Sequence, residues 1–122
     1  MGFKIVMPYL GGILSDNNYK FLSKATKPIV NLWKRELAKK VEALKVPEAV
    51  GYEIRLFGRF TDERRPDLSN LHKVIGDSLK KTKKWVGLGV DDKHFGFVDI
   101  GYNLGAIDPE IEITIIPSVL RV

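Results

Sequence analysis

Two hydrophobic periods run through this chain. A period of two, the mark of a half-buried strand, recurs in three places. Over Gly51–Phe60, Tyr52, Ile54 and Leu56 fall on one side and Glu53, Arg55 and Arg59 on the other. Over Lys93–Tyr102, Val98, Ile100 and Tyr102 alternate; over Glu110–Ile116, Ile111, Ile113 and Ile115 alternate with Glu112 and Thr114. Phe3–Leu10 reads as one more strand, the first in the chain. The second period is helical. Ile29, Leu32 or Trp33, Leu37, Val41 and Leu44 form a stripe that predicts a long amphipathic helix over Asn31–Lys45, with Pro28 as a first-turn residue and Val46-Pro47 as its stop. Leu68, Leu71, Ile75 and Leu79 form another stripe, predicting a helix from Leu68 to about Lys84. Its other face carries Asn70, Lys73, Asp77 and Lys81.

The order β, α, β, α, β, β predicts an α+β fold, a single domain over residues 1–122 in which two main helices pack on one face of a mixed sheet. The connection Asn103–Pro109, with Gly105 and Asp108-Pro109, predicts an antiparallel hairpin between the last two strands. Ser15–Lys20 is a loop of turn-forming side chains. The chain shows no internal repeat and no linker.

Charge changes the picture more than composition does. Residues 20–45 carry eight Lys/Arg against Glu36 and Glu42, and residues 64–84 carry seven against Asp67 and Asp77. Residues 85–122 reverse the sign, with Lys93 and Arg121 against six carboxylates. Two basic segments and an acidic last third describe either a positive face for a polyanion or ordinary solvated helix surfaces. Lys80, Lys81, Lys83 and Lys84 close the second helix, where cations suit the helix dipole. With no cysteine there is no disulfide, zinc–thiolate site or thiol nucleophile. The start, Gly2–Pro8, lacks the basic region and long apolar run of a signal peptide, and no stretch approaches the roughly 20 apolar residues that span a bilayer. A soluble, cytoplasmic protein with no membrane partner and no organic cofactor is expected.

Several chemistries are excluded by motif. There is no Gly-rich phosphate loop ending in Lys-Ser/Thr, no serine in a nucleophile elbow, and His72 and His94 are not spaced as a metal pair. His72, beside core-facing Leu71, reads as a helix-surface or partly buried residue. What remains is carboxylates, one lysine and much positive charge. Asp67 stands between a strand and the mouth of a helix; Asp91-Asp92 forms a second acidic point. Mg²⁺ prefers oxygen ligands and keeps several waters, so a few carboxylates suffice. Phosphodiester cleavage uses such an ion to activate water and offset phosphate charge. Lys73 follows Asp67 by about one and two-thirds helical turns and can add fixed positive charge. The plainer reading gives Asp67 to a helix cap and Asp91-Asp92 to a turn. Spacing alone leaves both open.

The ordered set Asp67-Leu68-Ser69-Asn70-Leu71-His72-Lys73, Asp77-Ser78-Leu79, Trp85 and Asp91-Asp92 resembles the signature of the RusA family of Holliday junction resolvases, Asp-x-Asp-Asn-Leu-x-Lys followed by Asp-x-Leu, a Trp segment and an Asp-Asp turn. The Ser15–Tyr19 run is similar to that family's Asn-rich loop. Order and length match along the whole chain, and residues 64–92 carry the specificity. The resemblance implies a homodimeric, Mg²⁺-dependent endodeoxyribonuclease, with Mn²⁺ able to substitute, that nicks four-way DNA junctions in recombination and repair. It implies Asp67 and Asp92 as metal ligands and Lys73 as the catalytic lysine, with Asp91 assisting or shaping the turn. A two-fold junction cut twice also calls for two sites related by a two-fold axis. Ser69 stands where the family pattern has its second Asp; it can hold a metal-bound water but brings no charge. The alternative is therefore a catalytically weak or inactive branched-DNA-binding protein on the same fold, and a basic protein that binds RNA or a protein partner is a third reading.

DNA contacts are expected at Arg64 and Arg65 beside the acidic site, at Asn17, Asn18 and Lys20 in the early loop, and at Lys34, Lys80 and Lys81. Arg64 and Arg65 have a plainer role as counter-charges to Asp62 and Glu63. Phe3, Phe60, Phe95 and Phe97 are expected in the core.

Overall fold

Strands β1 (Phe3–Pro8), β2 (Gly51–Arg59), β3 (Phe95–Asn103) and β4 (Glu110–Ser118) form one mixed sheet in the order β1-β4-β2-β3. The structure is a computed structural model and describes residues 2–15 and 22–118. β4 runs antiparallel to both β1 and β2, whereas β3 lies parallel to β2. The expected hairpin between the last two strands does not form. Ile111, Ile113 and Ile115 are all fully buried, at roughly 1.5–3 kcal/mol for each such side chain. That burial is best met in the middle of the sheet, where Ile113 has Ile5 on one side and Leu56 on the other. The connection after β3 crosses the end of β2 and bonds along the way: Gly105 N–H to the Thr61 carbonyl, Ala106 N–H to the Phe60 carbonyl, and Tyr9 N–H to the Pro109 carbonyl. β3 is left at the edge, with Val98, Ile100 and Tyr102 exposed.

Helix α1 (Lys27–Leu44) has Pro28 in its first turn, as expected, and ends as Lys45 turns left-handed (φ 51°) ahead of Pro47. Its buried stripe is Val30, Trp33, Leu37, Ala38 and Val41. Trp33, not Leu32, is the inward residue; its indole N–H donates to the Pro8 carbonyl at 2.7 Å, and Ile29 and Leu32 stay exposed. Helix α2 (His72–Leu79) is shorter than predicted. A 3₁₀ turn over Leu68–Leu71 precedes it, and Lys80 is already extended. Thr82 explains the early stop: its hydroxyl accepts from the Lys84 and Trp85 amides at 3.0 and 3.1 Å, a local turn that competes with the helix. The four lysines from Lys80 onward therefore follow the helix instead of closing it.

Both helices and one sheet face share a single core, joined by Phe60 and Phe95, with Phe3 and Phe97 packed against it. These four phenylalanines lie where the sequence placed them. The other sheet face is held by side-chain pairs: Arg59 reaches Glu110 at 2.9 Å and Glu112 at 2.7 Å, and Lys4 reaches Glu112 at 3.6 Å. Among the described residues no helix is long and apolar enough to cross a membrane.

Candidate functional site

The parallel pairing of β2 and β3 requires a crossover, and the candidate site is built on that crossover. The chain leaves β2, passes Arg64 and Arg65, makes the 3₁₀ turn at Leu68–Leu71, continues as α2 and returns through residues 80–90 to Asp91-Asp92. Two backbone bonds close the return: Leu88 N–H to the Leu79 carbonyl at 2.7 Å and Lys81 N–H to the Val90 carbonyl at 2.9 Å. The end of the return packs against α2 at Gly76, at distances that a Cβ would meet as ordinary contact. A Cβ at that position would sit 3.8 Å from the Asp92 Cβ and 4.0 Å from its Oδ2.

The cluster formed there centres on Asp77, whose side chain is only 15% exposed. Its Oδ1 lies 3.2 Å from the Lys80 ammonium and 3.7 Å from that of Lys73, one helical turn back. The same Lys80 ammonium lies 3.8 Å from Asp92 Oδ2. The hydrogen bond to Asp77 raises the Lys80 pKa against partial burial, and the charges of Asp77, Asp92 and Asp91 add to it. Lys34 faces this cluster from α1. Burial lowers its pKa; Asp77 opposes that shift, while Lys84, Lys80 and Lys73 reinforce it.

Asp67 is placed differently. It occupies the N-cap position of the 3₁₀ turn with extended backbone, but its side chain makes no capping bond, which removes the capping role. Its carboxylate is 79% exposed and pairs with Arg65 at 3.7 Å. Ser69 is exposed on the same turn. Asp91 accepts the Asp92 amide at 2.8 Å, so it shapes the turn that presents Asp92. The structure therefore joins Lys73, Lys80, Asp92 and, through charge, Lys34, with Asp77 among them. Sequence reasoning put Asp77 on the polar helix face without a role. Its spacing from Lys73 (i+4) and Lys80 (i−3) was the available signal.

Arg64 and Arg65 each have a partner within the chain, Arg64 an exposed one and Arg65 a partly buried one. Arg64 forms an ion pair with Asp62 at 2.8 Å, which holds the Asp62 carboxyl below its ordinary range. The Arg65 guanidinium stacks on the Tyr102 ring, 3.7 Å from its centroid. Lys81 is exposed beyond α2. Asn17, Asn18 and Lys20 lie outside the described residues. His72 is partly buried, as expected; its Nε2 meets Asp99 Oδ1 at 2.8 Å and its ring stacks on Phe97 with centroids 4.3 Å apart.

Among the described residues no group of three or more His, Asp or Glu side chains is gathered to hold a metal ion. Mg²⁺ does not require one, since it binds through one or two carboxylates plus water and substrate phosphates. Asp92 and Asp77 already share one cationic group, the Lys80 ammonium, and this donor chemistry suits a hard cation. No family model matches this chain, and no curated protein matches it.

Proposed function

We propose that this protein is a metal-dependent endodeoxyribonuclease that resolves four-way DNA junctions by paired nicks, acting as a homodimer. The observation that carries the reading is the return of Asp92 to the helix that bears Lys73, with Lys80 bridging Asp92 and Asp77. That joins two separated parts of the RusA-like signature on one crossover. Asp92 and, as the RusA-like pattern implies, Asp67 would hold Mg²⁺ or Mn²⁺, with Asp91 ordering the Asp92 turn and Ser69 contributing a neutral oxygen. When bound, the ion supplies activation of water and compensation of phosphate charge. Lys73, half-exposed and tethered by Asp77, supplies fixed positive charge where negative charge grows on the phosphate. Lys80 orients Asp92. Arg64, 89% exposed despite its pair with Asp62, is available to a phosphate.

Ser69 favours a second reading, a protein that binds branched DNA without cutting it. The deciding experiment is incubation of a synthetic four-way junction with and without Mg²⁺ or Mn²⁺, alongside a binding titration of the same junction. Metal-dependent nicks in opposite strands support the nuclease. Tight, salt-sensitive binding without nicks leaves only the second reading.

A further inference from the structure

The cations built into the proposed site, Lys73, Lys80, Arg64 and Arg65, already have partners; a separate set lies along α1. Lys24, Lys27, Asn31 and Arg35 line a groove of about 550 Å³ along the first half of α1, floored by Pro28 and Leu32. Among the described residues no carboxylate lines it, and the first turn of α1 contains no acid. Among the described residues, the side chains of Lys24, Lys27 and Arg35 enter no ion pair or hydrogen bond. The helix dipole does not account for Lys27, because a cation in the first turn is unfavourable there.

Lys27, Asn31 and Arg35 are spaced i, i+4, i+8 and share one helix face. Eight residues of helix span about 12 Å, and one DNA strand carries a phosphate every ~3.4 Å of axis. Because the strand winds around that axis, its successive phosphates lie farther apart than the axial rise, so the stripe spans on the order of two or three of them, with Asn31 as a neutral donor between the cations. Lys34, adjacent to Arg35, feels the charges of Asp77, Lys73 and Lys80, so α1 links the groove to the acidic cluster.

We propose that this groove docks the phosphate backbone of one duplex arm and contributes three charge contacts. The inference rests on the nucleic-acid reading above. Its test compares wild type with Lys24→Gln/Lys27→Gln/Arg35→Gln on a mixed-sequence duplex over a series of salt concentrations. Counterion release gives about 0.9 per neutralised phosphate in the slope of log affinity against log salt, so the triple variant should be shallower by about 2.7. Lys39→Gln/Lys45→Gln, on the far half of α1 and just past its end, should change the slope by less than about 1. Urea midpoints should show the triple variant no less stable than wild type, since removing those lysines relieves the helix dipole.

A wild-type protein that binds DNA with a slope unchanged in the triple variant overturns the groove and leaves the nuclease reading standing. Loss of slope in a protein that never nicks a junction supports the groove and removes the nuclease. A wild type that binds no duplex overturns the groove, and the nuclease reading is then decided by the junction assay alone. If the triple variant loses binding to poly-glutamate and keeps its duplex slope, the occupant is an acidic polypeptide and the proposal falls.

Discussion

Gly87 packs on the Leu79 carbonyl, the acceptor of one of the two backbone bonds that close the return to Asp92, and replacing it should separate steric from conformational cost. It adopts φ +56°, and a Cβ there would overlap the Leu79 carbonyl oxygen while lying 2.7 Å from the Leu79 carbonyl carbon and 3.0 Å from the Lys80 oxygen. That Leu79 carbonyl is the acceptor for Leu88 N–H. In Gly87→Ala the left-handed backbone costs about 1 kcal/mol, and opening the hydrogen bond costs about 1 kcal/mol more. Shifting buried Leu79 and Leu88 adds roughly 1–3 kcal/mol. The expected loss is about 3–5 kcal/mol. Gly89 provides the control: it also has positive φ, +80°, but a Cβ there meets nothing within 4 Å. Gly89→Ala should therefore lose only the conformational part, about 1 kcal/mol. Urea unfolding followed by tryptophan fluorescence measures both. Equal losses in the two variants would refute the close approach at Gly87.

Asp67→Asn should abolish junction nicking while binding persists, because the exposed carboxylate caps nothing and its removal leaves the basic surface intact; parallel loss of binding in a gel-shift titration would refute this. Lys73→Ala should slow nicking at least about tenfold with junction affinity nearly unchanged, and single-turnover rates at saturating protein provide the check. Ser69→Asp restores the acid of the resembling pattern, and half-maximal nicking should then need several-fold less Mg²⁺; an unchanged metal titration would show that position 69 is not a ligand. Glu112 predicts an acid limb of stability. The Arg59 hydrogen bond holds its carboxyl below the ordinary 4.5, so its stabilisation is fully present above about pH 4.5 and fades as pH falls through the lower folded value. The stability gap between wild type and Glu112→Gln should shrink on acidification in urea titrations, and a gap constant with pH would show that the pair is not coupled to folding.

Much of the fold was legible because its signals are local. Alternation along Gly51–Phe60 and Glu110–Ile116 depends only on which side of a strand each residue faces, and the mixed sheet with helices on one face followed from element order. The capping alternative for Asp67 and the full length of α2 were not legible in the same way. One depended on a side chain choosing Arg65, the other on Thr82 drawing two amides into a turn. Sheet order was further out of reach. Asn103–Pro109 has the composition of a hairpin, but the connection bonds to Phe60, Thr61 and Tyr9 and carries three isoleucines to the centre of the sheet, where two neighbouring strands cover them.

By itself, the sequence determined the periods, the two basic segments and the spacing of Asp67, Lys73 and Asp77 along one stretch. Tertiary structure alone decided that Asp92 returns to Lys80 beside Asp77, that Arg65 is held on Tyr102, and that Lys24, Lys27 and Arg35 have no counter-charge among the described residues. The physical reason is that charge acts through space. Periodicity assigns each side chain to a face, but only the packed crossover and its backbone hydrogen bonds set which opposite charges come within 4 Å and which cations remain for a ligand.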